Sequence, residues 1–311
     1  MKTIKTNCEF ASELVCVIPY AYWLHQNNQL EKVITSKGMR PFYYFCKDVE
    51  ERFDYRSFDM NTNGLNDVPN NWLHHNSKAV FGKDYSDLTE EEQSKANGVL
   101  DYSQWTPPPY ENHFGFWDEF VDLEPYVVIN NNFNIEAGNH ISKTRRYFNL
   151  NALSNMFYYL QEVGYNVVYK RPNNTEFAPD QNEIATLQNG HEFQEMTQEG
   201  KMSDYDLCGY YDNVYNLNDF DMDDYNEFQM KCFANAEGFI TPNGGGGDLC
   251  AQFGKPVLFY IPSGKELRPG YMTNDNSYIR KLSDNKIHVV YDFKKQNDYE
   301  ELIKKVKDVF K

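Results

Sequence analysis

The sequence predicts an α/β protein whose mostly parallel sheets lie in two lobes that face a cleft. Two stretches, beginning near residue 14 and near residue 126, each read as strand, helix and strand, an alternation typical of parallel sheets. A third unit, over residues 238–261, consists of a strand, a glycine turn, a short helix and a second strand. We place the lobe boundary after residue 125, which gives lobes of 1–125 and 126–311.

In the N-terminal lobe, two apolar runs predict strands. Leu14 to Tyr20 and Pro41 to Cys46 are nearly continuous apolar stretches, as expected for strands buried on both faces. Between them, Ala21 to Lys37 has the spacing of a helix. Leu88 to Ala96 predicts a short acidic helix with Thr89 as its N-cap.

In the C-terminal lobe, short apolar runs alternate with helical patterns. Strands are predicted at Tyr126 to Asn130, Tyr165 to Lys170, Gly238 to Thr241, Val257 to Ile261 and Ile287 to Tyr291. Helices are predicted at Asn149 to Val163, Asp219 to Asn235, Asp248 to Phe253 and Tyr299 to Phe310. This order places a βαβ unit around the glycine turn.

Composition restricts the partners and the compartment. The net charge is −16 and the pI is about 4.9, so neither nucleic acid nor an anionic membrane is expected as a general partner. The six cysteines form no C-x-x-C pair and no zinc-spaced cluster, which predicts reduced thiols and no zinc. No apolar run approaches the length of a membrane span, and the first residues do not resemble a signal peptide. We therefore expect a cytoplasmic protein without an integral membrane segment.

The glycine turn is the most informative motif. Gly244 to Gly247 follow Asn243 and precede a predicted helix that begins at Asp248. A glycine turn that leads into a helix leaves backbone N–H groups beside the positive end of the helix dipole, which suits a phosphate or diphosphate. The alternative is a tight turn that needs glycine only for its backbone angles. The motif lacks both the Lys-Ser ending of a P-loop and the spacing of a dinucleotide fingerprint.

Charged residues after two other strands are predicted to reach the same sheet edge. Arg171 follows the strand that ends at Lys170, and its guanidinium fork suits phosphate oxygens; the alternative is a surface arginine. Lys265 and Glu266 follow the strand that ends at Ile261. The lysine would offset a diphosphate, and the glutamate would accept hydrogen bonds from ribose hydroxyls.

Two residues outside this edge are candidates for general acid–base catalysis. His25 lies near the predicted loop after the first strand, and Asp118 lies among aromatic residues, where its pKa would be raised. The alternatives are an exposed helix histidine and a solvated carboxylate. The acidic run Asp219 to Asp224 has a D-x-D spacing that can hold Mn²⁺, but acidic residues also favour a helix start. We predict no metal site there.

At this point a resemblance to a known family becomes visible. Phe239 to Asp248, followed by Phe253 to Val257, resembles the donor-domain segment of GT-B glycosyltransferases, and heptosyltransferase-like enzymes have a similar strand, glycine turn, short helix and G/D-K-P strand. The loop Asn131 to Gly138 and the segment Lys265 to Leu267 are similar to those of surface-polysaccharide glycosyltransferases from bacterial and large-virus glycan clusters. The resemblance covers about residues 126–292.

The resemblance implies a GT-B-like fold of two Rossmann-like lobes. It also implies a nucleoside-diphosphate-sugar donor, of UDP or GDP type, on the C-terminal lobe, a glycan acceptor at the N-terminal lobe, and no obligatory metal or other cofactor. The donor-binding residues that it implies are Asn134, Arg171, Asn243, Gly244, Gly245, Gly246, Gly247, Asp248, Lys265 and Glu266. The candidates for the catalytic base are Glu136, His25 and Asp118. Asp248 departs from the heptosyltransferase pattern, in which Ser or Thr is common at this position.

Three functions stay open from the sequence. The first is a hexosyl- or pentosyltransferase that acts in polysaccharide biosynthesis. The second is a nucleotide-sugar 2-epimerase of the same architecture, and the third is a non-catalytic nucleotide- or glycan-binding protein. The Lys265 to Leu267 segment and the polar loop Asn131 to Gly138 favour the first.

Overall fold

A computed structural model describes residues 1–56, 71–115, 118–131, 146–171, 194–197, 200–293 and 299–311. In this part of the chain, the strands form two parallel sheets and one antiparallel hairpin. The strands are β1 Lys2–Lys5, β2 Leu30–Ser36, β3 Val49–Phe53, β4 Tyr126–Asn130, β5 Asn166–Lys170, β6 Gln194–Thr197, β7 Gly200–Ser203, β8 Val214–Asn216, β9 Gly238–Pro242, β10 Val257–Ile261 and β11 Ile287–Tyr291. The α-helices are α1 Phe10–Ser12, α2 Ile18–Gln26, α3 Ser77–Phe81, α4 Glu90–Ala96, α5 Tyr110–Phe114, α6 Leu150–Glu162, α7 Asp204–Cys208, α8 Tyr225–Asn235, α9 Gly245–Ala251, α10 Tyr278–Leu282 and α11 Glu300–Val309.

The first sheet is parallel, as predicted, but its strands are not the predicted ones. It has the order β1-β2-β3. The run Leu14 to Tyr20, predicted as a strand, is helical: a π-helical turn over Glu13–Val17 continues into α2. Leu14 to Ile18 are almost fully buried, and a helix buried on every side is as continuously apolar as a buried strand. Pro19 fits because it lies in the first turn of α2.

Two further predictions in this lobe are wrong for related reasons. The segment Pro41 to Cys46 forms no strand, since Arg40–Tyr43 is a 3-10 turn. The helix predicted through Lys37 ends at Gln26, and β2 occupies the remainder. The core of β2 is Val33, Ile34 and Thr35, all β-branched, and such side chains favour a strand over a helix.

The second sheet is parallel, as the strand–helix alternation predicts, and its strands have a doubly wound order. Its order is β11-β10-β9-β4-β5-β8, and all neighbouring strands are parallel. The chain starts in the middle at β4, extends to β8, returns to β9 and then extends to β11. The direction of winding therefore reverses between β4 and β9. The fold class, an α/β protein with parallel sheets, is confirmed.

Helices of the C-terminal half follow the sequence signals with two shifts. Asn149 caps α6 by accepting the N–H of Ala152 at 2.8 Å. Helix α8 begins six residues later than predicted, after Asp224 as its N-cap, so most of the acidic run lies outside the helix. Helix α9 begins at Gly245 rather than at Asp248, so three of the four glycines are helical.

A buried ion pair organises the turn after β1. Glu13 is fully buried, and its Oε1 accepts hydrogen bonds from Thr35 Oγ1 at 2.5 Å and from the Tyr43 hydroxyl at 2.8 Å. Its Oε2 accepts from Arg56 Nη1 at 2.6 Å. The same Arg56 nitrogen donates to the carbonyl of Cys8 at 2.8 Å. The pair thus fixes the chain between β1 and α1 against β2.

The segment from 94 to 102 packs against the C-terminal half. Asn97 Nδ2 donates to the Pro269 carbonyl at 3.0 Å, and the Tyr102 hydroxyl donates to the Asn276 carbonyl at 2.5 Å. Gly98, at φ +70°, allows the Tyr271 carbonyl to approach closely. The lobe boundary at residue 125 stays a prediction. None of the helices in the described ranges is both long and apolar enough to span a bilayer.

Candidate functional site

The reversal of winding places the glycine helix α9 over the ends of two strands. Asn130 ends β4, and its Nδ2 donates to Thr241 Oγ1 of β9 at 3.0 Å. A Cβ on Gly246 would lie 2.6 Å from the same Asn130 nitrogen. Open α/β sheets bind their ligands at this switch point, outside the carboxyl ends of the strands.

The glycines of α9 are required by close packing inside the protein. A Cβ on Gly247 would lie 2.7 Å from Phe259 Cε1, and one on Gly245 would lie 3.0 Å from Phe10 Cδ1. Gly244 has φ +139°, a conformation that favours glycine. The helix therefore packs directly against β10 and against α1 of the first lobe. The first hydrogen bond of the helix is donated by the Asp248 N–H to Gly244 O at 3.0 Å.

We call five side chains the inter-lobe cluster because four of them act on the pKa of the fifth, Asp248: Glu9, Lys265, Glu266 and Tyr278. Lys265 and Tyr278 both lie against the rings of Trp72 and Tyr271. Asp248 is buried, and its Oδ1 accepts the Tyr278 hydroxyl at 2.7 Å. Burial raises the pKa of Asp248 to about 7, the charges of Glu266 and Glu9 act in the same direction, and Tyr278 and Lys265 oppose them. Asp248 does not cap its own helix.

Lys265 supplies the positive charge of this cluster. It begins the 3-10 turn Lys265–Leu267, and its side chain reaches solvent. The Nζ lies 5.4 Å from the centroid of Trp72 and 6.0 Å from that of Tyr271. The Tyr271 hydroxyl, and then Glu266, Glu9 and Asp248, raise the pKa of Lys265. Among the described residues it makes no ion pair, so its charge is available to a ligand.

Asn243 and Glu266, both predicted for this site, are in direct contact. Asn243 Nδ2 donates to Glu266 Oε2 at 2.9 Å and to the Ser263 carbonyl at 3.0 Å. Arg146, which the sequence reasoning missed, donates from Nε to Ser263 Oγ at 3.1 Å. A Cβ on Gly264 would meet both Glu266 and Arg146, so the guanidinium lies beside this carboxylate.

Glu9 is the second residue that the sequence reasoning missed. It is half-buried, immediately precedes α1, and accepts the Ser12 hydroxyl at Oε2 at 3.0 Å. Its charge acts on the pKa of Asp248 and on that of Lys265. Because β1 ends at Lys5, Glu9 follows the carboxyl end of that strand. The position of β1 is the signal that would have identified it.

Arg171 follows β5 as predicted, but it faces a carboxylate. Its Nε lies 2.9 Å from Asp204 Oδ2, and its guanidinium lies 4.0 Å from the centroid of the Tyr205 ring. The Tyr169 hydroxyl donates to the same Asp204 oxygen at 2.6 Å. The binding of a phosphate by Arg171 stays a prediction.

The placement of His25 beside the carboxyl ends of the strands is wrong. His25 is exposed in the last turn of α2 and packs near the rings of Tyr22 and Phe45. The turn that follows pairs with the start of β1, because the Lys2 N–H donates to the Gln29 carbonyl at 2.6 Å. Since a crossover helix runs opposite to its strands, His25 lies at the amino edge of the sheet.

The remaining candidate bases are not described in full. Asp118 begins the 3-10 segment Asp118–Leu123, and its side chain lies outside the described part. Asn134 and Glu136 lie outside the described residues altogether. Within the described ranges, no group of three or more His, Cys, Asp or Glu side chains is arranged to hold a metal ion.

Comparison with known proteins identifies the fold. No family model and no curated protein sequence matches the chain. The heptosyltransferase WaaC from E. coli, solved with ADP, is 10% identical with a TM-score of 0.51, and 99% of each chain is covered. A glycosyl transferase family 9 protein from Veillonella parvula is 7% identical with a TM-score of 0.49, covering 99% of this chain and 96% of that one. The E. coli ADP-heptose LPS heptosyltransferase II is 13% identical with a TM-score of 0.46, covering 99% of each chain.

Proposed function

We propose that this protein is a glycosyltransferase that moves a sugar from a nucleoside-diphosphate sugar to a glycan acceptor without a metal ion. The observation that carries the proposal is the convergence of Asn243, Lys265 and Glu266 with the glycine helix at the switch point of the second sheet. A switch point of this topology suits a nucleotide. The E. coli heptosyltransferase that shares the fold was solved with ADP, which supports the same class of ligand.

Each residue has a role that follows from its charge. Departure of the diphosphate leaves negative charge on its oxygens, which cationic groups held in place stabilise. Lys265 is the available cation of the inter-lobe cluster, and Arg146 lies next to Glu266. Glu266, held by Asn243, would accept hydrogen bonds from ribose hydroxyls. Glu9 belongs to the N-terminal lobe, which would bind the acceptor.

A thermal-shift series with UDP, GDP, ADP, CMP and dTDP tests the donor site. Ligand binding stabilises the folded protein by RT ln(1 + [L]/Kd), so at least one nucleotide is expected to raise the melting temperature by an amount that grows with concentration. The absence of a shift with every nucleotide would show that the proposal is wrong. Conversion of the nucleotide sugar without an acceptor would instead indicate an epimerase, and binding without turnover would indicate a binding protein.

Replacement of Lys265 by alanine is expected to weaken nucleoside diphosphate binding by about 10- to 100-fold, since a hydrogen bond to a charged group contributes about 1.5–3 kcal/mol. Binding of the nucleoside without phosphates should change little. The matched control is Lys281→Ala, which removes an exposed lysine stacked on Tyr102. Isothermal titration of both variants measures the difference. Equal loss of affinity for nucleoside and diphosphate would contradict a phosphate role for Lys265.

A further inference from the structure

The inter-lobe cluster has the wrong charge balance for an anion. It contains three carboxylates, on Glu9, Asp248 and Glu266, and one ammonium, on Lys265. With all of them ionised, the cluster would carry a charge of 1 − 3 = −2 before any ligand arrived. Arg146 lies near Glu266 and would reduce this charge by one, but an excess of negative charge remains. A diphosphate would therefore meet repulsion unless one carboxylate became neutral.

Of the three carboxylates, Asp248 is the one whose surroundings most favour the neutral, protonated form. Glu266 accepts a hydrogen bond from Asn243 and lies beside a guanidinium, and Glu9 is half-exposed to water. Asp248 is as buried as Glu266, at 8% against 9% exposed, but its hydrogen bond at Oδ1 comes from the uncharged Tyr278 hydroxyl and not from a guanidinium. That bond leaves Oδ2 as the oxygen that can carry a proton.

The groups around Asp248 determine the pH at which it takes up that proton. Several titratable side chains face it, from every element packed against α9. They are Glu9 beside α1, Cys16 in the π-helical turn, Lys265 and Glu266 in the 3-10 turn, Tyr271, Tyr278 in α10, and Cys250 on the same helix. Only Lys265 is cationic among them. Burial raises the pKa of Asp248 to about 7; Glu266 and Glu9 act in the same direction, whereas Tyr278 and Lys265 lower it. Near neutral pH both protonation states are therefore populated.

We propose that binding of the nucleoside diphosphate is coupled to the uptake of one proton by Asp248, which then donates a hydrogen bond to a diphosphate oxygen as a neutral carboxylic acid. The proton comes from the solvent, and no bond of the ligand breaks in this step. The inference rests on the proposed function, because it needs a diphosphate in the cluster.

The test is isothermal titration with UDP, GDP and ADP, each in PIPES and in Tris at pH 7.5. The difference in observed enthalpy between buffers of unequal ionisation enthalpy gives the number of protons taken up. The wild-type protein should take up between about half a proton and one proton more than Asp248→Asn, and its affinity should fall about tenfold for each pH unit above pH 7. The amide of the variant still donates a hydrogen bond but does not titrate, so Asp248→Asn should keep its affinity between about pH 6 and 8.5. Phosphate protons of the ligand contribute equally to both proteins and cancel.

The outcomes separate this inference from the proposed function. Equal proton uptake by wild type and Asp248→Asn, with binding intact, overturns the role of Asp248 and leaves the donor site standing. No heat and no thermal shift with any of the three nucleotides overturns the proposed function itself. If Asp248→Asn does not fold, Tyr278→Phe provides the second test. Loss of the tyrosine hydroxyl removes an interaction that lowers the pKa of Asp248, so the fall in affinity should move to higher pH. A fall at the unchanged pH also overturns the inference.

Discussion

Replacing Glu13 with alanine is expected to lower the free energy of unfolding by about 3–5 kcal/mol, because removal of one partner leaves the other charge of a buried ion pair uncompensated. Glu13 and the side chain of Arg56 are inaccessible to solvent. The substitution also removes the acceptor of the Thr35 and Tyr43 hydroxyls. Buried donors without an acceptor add to the loss of stability.

Urea denaturation measures this loss, and an exposed ion pair provides the control. Glu50 pairs with Lys32 at 2.9 Å and with Arg52 at 2.6 Å, on the surface of the same sheet. Such pairs contribute little because water screens them and the side chains lose freedom, so Glu50→Ala should leave the unfolding midpoint nearly unchanged. If the two variants lost equal stability, the buried pair would not be the anchor of the first lobe.

Five of the six strands of the second sheet were predictable because each is a short apolar run bounded by turn residues; the sixth, β8, has only three residues and no such run. Val257 to Ile261, for example, follows Gly254-Lys255-Pro256 and is long enough for one strand but too short for a buried helix. The run Leu14 to Tyr20 lacks this distinction, because complete burial removes the polar face that identifies a helix. Because this run was assigned as the first strand, the true first strand, β1, was missed. As a consequence, His25 was assigned to the wrong sheet edge and Glu9 was overlooked.

Part of the site was predictable for a topological reason. Asn243, Lys265 and Glu266 each follow a parallel strand, and parallel strands end at one sheet edge, so their proximity follows from chain order alone. The contact between Tyr278 and Asp248 spans thirty residues and depends on how α10 packs on α9, which no local pattern encodes. The contact of Arg171 with Asp204 is of the same kind.

Glu9 is our candidate for the base that deprotonates the acceptor hydroxyl. It is the half-buried carboxylate that follows β1, and it lies close enough to Lys265 and Asp248 for its charge to act on their pKa values. Its Oε2 already accepts one hydroxyl, that of Ser12, which orients the carboxylate. A carboxylate at this position could accept the proton of the acceptor hydroxyl as a general base.

Glu9→Gln is therefore expected to lower kcat by about 10²- to 10⁴-fold, the usual contribution of a general base, a far larger effect than the loss of one cluster charge should have on the affinity for the nucleoside diphosphate. The amide keeps the size of the side chain and the hydrogen bond from Ser12 but cannot accept a proton. Release of nucleoside diphosphate from the donor, with the acceptor that gives the fastest wild-type turnover, measures kcat. Glu31→Gln, on the exposed surface of β2, is the matched control and should retain full activity. A Glu9→Gln enzyme with wild-type kcat would assign the base to another residue, whereas loss of nucleotide affinity without loss of kcat would make Glu9 part of the donor site.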